Sequence, residues 1–101
     1  MTEDQYLIAT KAFYEAFFIT ERMDPTVTKR NWIQPIGGTC IFIRRDIGLK
    51  REYYELFNLN SGKVYRRVYA LTDHVIPKLL AAYLEVLENI TTERTKINAT
   101  F

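Results

Sequence analysis

The sequence predicts an α+β fold, a helix–three-stranded antiparallel sheet–helix (αβββα) with the helices packed on one sheet face. Three observations predict it. Apolar side chains recur at helical spacing near both ends of the chain, over residues 3–23 and 73–91. Residues 39–71 between them are dense in β-branched and aromatic side chains. Within that stretch, Asn60-Ser61-Gly62 punctuates two strand-like runs as a hairpin loop does. At 101 residues the chain is one domain's worth, assigned to residues 1–92, with a polar tail over 93–101.

The first helix opens on a capping box. Thr2 supplies the N-cap hydroxyl, and Gln5 stands three residues later. It runs to about Met23, where Asp24-Pro25 stops it. Asp4, Lys11, Glu15 and Arg22 fall within about 40° of one another and form the wet stripe. Phe13 lies on the opposite side, and the apolar arc exceeds what one core contact needs. A homodimer interface is therefore expected around Tyr14, Phe18 and Leu84.

Residues 24–38 read as an irregular connection in which Thr26–Ile33 has the composition of a short edge strand and Pro35 and Gly37-Gly38 are breakers. Thr39–Asp46 is the first of the three strands, and Ile47–Arg51 is a loop tip. Glu52–Leu59 and Lys63–Leu71 form the clearest hairpin, with Gly62 left-handed in its loop. Pairing Leu59 with Lys63 sets Phe57 against Tyr65, Glu55 against Arg67 and Tyr53 against Tyr69. Tyr54, Leu56 and Val68 then share the face that suits helix packing, while Tyr53, Glu55, Phe57, Tyr65, Arg67 and Tyr69 share an outer face.

The last helix is capped by Thr72 or Asp73, holds Pro77 in its first turn or just before it and ends near Thr91. Leu80 is a core candidate on it.

The net charge of +2 is unevenly spread. Residues 1–28 carry −3, residues 29–67 carry +6 and residues 68–101 carry −1. A basic middle third between acidic flanks favours an anionic partner. No basic run precedes an apolar stretch at the N-terminus and none of the apolar runs is as long as a membrane span, so a cytoplasmic location without membrane insertion is expected. Asn89-Ile90-Thr91 and Asn98-Ala99-Thr100 match the glycosylation pattern and are read as chance.

Catalytic chemistry finds little support. Glu52 and Glu55 point to opposite faces of their strand, so they are not a paired acid and base. Cys40 and His74 are single residues with nothing in the sequence to bring them together. With one Cys and one His there is no structural zinc set, and no cofactor is expected. The element order is that of double-stranded RNA-binding domains, whose second helix opens on a lysine cluster. Here Thr72–Lys78 holds one Lys and one Asp, so order alone carries no functional weight.

What remains is a composition. Arg44-Arg45, Lys50-Arg51 and Arg66-Arg67 are three dibasic pairs interleaved with Tyr53, Tyr65 and Tyr69. Tyr and Arg dominate protein hot spots, and aromatics beside cations also suit single-stranded nucleic acid. The expectation is a small non-enzymatic interaction protein, an adaptor or inhibitor, that binds an acidic protein surface or a nucleoprotein complex through these nine residues. Direct DNA or RNA binding by the same face is the second reading, and a structural homo-oligomer is the third.

Overall fold

The computed structural model describes residues 1–24, 31–48 and 50–100, the last ten as backbone only. The elements are α1 (Glu3–Arg22), β1 (Asn31–Pro35), β2 (Ile41–Ile47), β3 (Glu52–Asn58), β4 (Val64–Tyr69) and α2 (Val75–Thr100). The class is α+β as expected, but the sheet has four antiparallel strands in the order β1-β2-β3-β4 rather than three.

The additional strand is the edge strand β1, in register from Asn31 opposite Asp46 to Pro35 opposite Phe42. Pro35 does not break it, because the last position of an edge strand needs no ladder donor there. Of the expected edge segment Thr26–Ile33, residues 26–30 lie outside the described residues, as does Leu49 of the expected Ile47–Arg51 loop tip. The turn after β1 is closed by the Ile36 N–H donating to the Ile41 carbonyl at 2.9 Å. Thr39 Oγ1 tightens it by donating to the Ile36 carbonyl at 2.7 Å, and Gly37 supplies the φ of +61° that the reversal needs.

The capping box of α1 forms as read. Thr2 Oγ1 accepts from the Gln5 N–H at 3.2 Å and Gln5 Oε1 accepts from the Thr2 N–H at 2.8 Å. The expected N-cap role of Asp73 does not. Its carboxylate accepts from the Tyr69 N–H at 2.8 Å and pairs with Lys78 Nζ at 2.7 Å, tying the end of β4 to the first turn of α2. Lys78 beside it holds the Asp73 carboxyl below the usual carboxylate range. Pro77 sits in the first helical turn as expected. The helix runs past Thr91 to Thr100, because 92–100 contains no Gly or Pro and polarity by itself is not a stop signal.

The helices lie on one sheet face, α1 over β1 and β2 and α2 over β3 and β4. The core between the layers holds Phe13, Phe17, Ile43, Tyr54, Leu56, Val68, Leu79 and Tyr83. Phe13 stacks at 6.0 Å on Phe17 and at 6.1 Å on Tyr83, and so joins the two helices. Leu79 is the fully buried leucine of α2, and Leu80 is only partly buried beside it.

The β3–β4 register is half as expected. Tyr53 faces Tyr69 and Glu55 faces Arg67, but a bulge follows and Phe57 faces Val64. The cause is local. The Leu59 N–H donates to the Cys40 carbonyl at 2.9 Å, which draws Leu59 toward β2, and Asn58 closes the hairpin with Lys63 instead. Gly62 adopts φ +76° in the loop, as its position predicts. The surplus residue on β4 is Tyr65, and the bulge turns it away from the face expected for it.

Candidate functional site: the open sheet face

Alternation along the strands sends one set of side chains to the helices and the other to a face that, among the described residues, no helix covers. Its centre is Glu55, a carboxylate with 2% exposure, beside the buried ring of Phe57. Arg67 donates to Glu55 Oε2 through two nitrogens, at 3.1 and 3.2 Å. Arg44 approaches Glu55 Oε1 at 3.6 Å from β2. One buried carboxylate thus anchors two half-exposed guanidinium groups, and the trio keeps one net positive charge.

The anchored cations cover aromatic rings. The Arg67 guanidinium carbon stands 4.3 Å from the Tyr53 ring centre, and that of Arg44 stands 4.6 Å from Phe57. Phe42 packs against Phe57 at 5.9 Å, and Tyr69 meets Tyr53 edge-on at 6.1 Å. Arg51 lies 5.7 Å from the Tyr69 ring. Among the described residues, the buried Arg44 Nε has no hydrogen-bond partner, so Glu55 holds that side chain less fully than it holds Arg67. Asp46 accepts from the Tyr53 hydroxyl at 3.2 Å and from Asn31 Nδ2 at 3.4 Å.

The two tyrosines of this face are pushed in opposite directions. Burial, and then the neighbouring Asp46 charge, raise the Tyr53 hydroxyl above its ordinary value. The Arg67 guanidinium beside Tyr69 lowers that hydroxyl below it.

Of the nine residues expected to form the surface, five share this face or its rim: Arg44, Arg51, Tyr53, Arg67 and Tyr69. Lys50 is exposed in the adjoining loop. The other three lie on the helix side. Arg45 donates to the Thr20, Glu21 and Met23 carbonyls at 3.3, 2.9 and 3.1 Å and pairs with Glu52 at 2.7 Å. It therefore satisfies the end of α1. Tyr65 packs against the core, and its hydroxyl accepts from Asn58 Nδ2 at 3.3 Å. Arg66 is exposed beside Pro77 and Lys78 on the α2 flank. Phe42 belongs to the face and was missed, although its place two residues before Arg44 was the available signal.

Of the expected dimer residues, Tyr14 and Leu84 pack partly against the core and Phe18 stays exposed. Cys40 lines an apolar cleft of about 580 Å³ beside the N-terminal half of α1, while His74 lies at the other end of that helix near Phe17 and Glu21. The fold thus holds the only thiol and the only imidazole apart. Among the described residues, no three of His, Cys, Asp and Glu cluster as metal ligands, and no helix is long and apolar enough to cross a membrane. Compared with protein-family models, curated proteins and solved structures, the chain gives no significant match to any of them.

Proposed function

We propose that the protein is a non-enzymatic interaction module that binds an acidic protein surface through its open sheet face. One observation carries the reading: Glu55 pairs with both Arg44 and Arg67, whose guanidinium groups stand over the Phe57 and Tyr53 rings. Guanidinium groups held in place lose little freedom on binding, and their outward N–H donors suit carboxylates. Their position also favours protein over single-stranded nucleic acid. A base needs an open ring to stack on, and these two rings are already covered by the chain's own arginines. Arg and Tyr around a buried aromatic centre have the composition of a protein hot spot.

Backbone amide shifts in the labelled protein test the proposal, with a poly-glutamate peptide, a single-stranded oligonucleotide and a DNA duplex as probes. The reading expects the peptide to move Phe42, Tyr53, Arg67 and Tyr69, and Arg51→Glu to suppress that response while Arg66→Glu leaves it intact. Shifts of the same residues by an oligonucleotide alone, with affinity falling steeply in salt, would transfer the face to nucleic acid. A face silent to all three probes would end the proposal.

A further inference from the structure

The outward surface of α1 carries a pattern that neither the core nor the sheet face uses. Eight residues are exposed along it: Asp4, Leu7, Ile8, Lys11, Glu15, Phe18, Ile19 and Arg22. At 3.6 residues per turn they occupy an arc of about 120° and a length of about 27 Å. Leu7 is 65% exposed, Ile8 69%, Phe18 41% and Ile19 42%, which is unusual for four large apolar side chains on one small helix face. Among the described residues, no ion pair within the chain engages Asp4, Lys11, Glu15 or Arg22.

The spacing of these residues is the same read from either end, with charge inverted. Asp4 mirrors Arg22 and Lys11 mirrors Glu15, while Leu7 mirrors Ile19 and Ile8 mirrors Phe18. A twofold axis through the helix at the level of Phe13 therefore sets every acid opposite a base and every apolar side chain opposite an apolar one. The parallel alternative would oppose Asp4 to Asp4 and Lys11 to Lys11, so the same pattern selects against it.

We infer that a second copy of this chain covers this face, α1 packing antiparallel on α1 of its partner. The occupant follows from the complementarity: the surface matches its own inverted image, a property no unrelated partner requires. Near-antiparallel helices crossing at about 20° keep such a seam in contact over its length. Because the face points away from the sheet, both open sheet faces remain outside in the dimer, and one assembly presents two of them. Failure of the sheet-face proposal leaves this inference standing, since the two surfaces share no residue.

Sedimentation equilibrium on the full chain tests it. The wild type is expected at twice 11.9 kDa. Lys11→Glu and Glu15→Lys each turn two attractive pairs into two repulsive ones, and each is expected to weaken the dimer by roughly tenfold or more. Mixed in equal amounts, the two single variants are expected to form a heterodimer, and the double exchange K11E/E15K in one chain is expected to recover the homodimer. Both positions are exposed, so circular dichroism of the variants should match wild type. A wild type that sediments at 11.9 kDa at high micromolar concentration would overturn the inference. So would single variants as dimeric as wild type, or a mixture that fails to associate.

Discussion

Glu55 is buried beneath Arg67, with two Arg67 nitrogens within 3.2 Å of one carboxylate oxygen. Arg44 holds the other oxygen at 3.6 Å, so the carboxylate has two partners and each guanidinium has solvent as its alternative. The asymmetry fixes what mutation does. Arg67→Ala alone leaves Arg44 on the carboxylate and should cost about 1 kcal/mol. Arg44→Ala with Arg67→Ala leaves a buried, unpaired charge and should cost about 3–5 kcal/mol, more than the two single losses together. Urea unfolding of the three variants measures the excess, and simple additivity would mean that Glu55 reaches water on its own.

Arg45 makes the end of α1 depend on β2. Its three carbonyl contacts and its ion pair with Glu52 use the forked geometry of a guanidinium. Arg45→Lys should therefore cost about 1–2 kcal/mol although the charge is kept. Hydrogen exchange should show Thr20–Arg22 opening more readily in that variant. Unchanged protection there would reduce Arg45 to an ordinary surface cation.

Gly62 needs its φ of +76° but has no neighbour within 4 Å of where a Cβ would stand. Substitution there is a purely conformational event. Gly62→Val should cost about 1–2 kcal/mol, and Gly62→Asn should cost a fraction of that, because asparagine tolerates the left-handed region. Equal melting temperatures for the two variants would contradict a strained loop.

Asp73 links stability to pH. Lys78 and the Tyr69 N–H lower its folded pKa below the unfolded value. Its contribution is therefore complete above the ordinary carboxylate range and disappears as the pH falls through the folded value, below about pH 4. Asp73→Asn should flatten the acid limb of the unfolding midpoint plotted against pH. A limb of unchanged steepness would assign the acid sensitivity to other carboxylates.

The sequence by itself determined what depends on neighbours along the chain. The Thr2–Gln5 capping box, the left-handed Gly62, the Tyr53–Tyr69 and Glu55–Arg67 pairings and the burial of Tyr54, Leu56 and Val68 all follow from hydrogen bonds or alternation over a few residues. The strand pairs Arg44-Arg45 and Arg66-Arg67 likewise had to divide between the two faces of their strands. Tertiary structure decided what depends on residues distant in the chain. β1 is a strand because β2 offers it a partner, although Pro35 reads locally as a breaker. Tyr65 points to the helices because Leu59 bonds to Cys40 at the start of the neighbouring strand β2 and displaces the register by one residue. Arg45 could be assigned to a face but not to the carbonyls of α1, since nothing within seven residues on either side announces where that helix ends. Asp73, read as a cap, bonds backward to Tyr69 because β4 delivers that N–H to it. Local chemistry names the donors and acceptors, and packing chooses among the partners that compete for them.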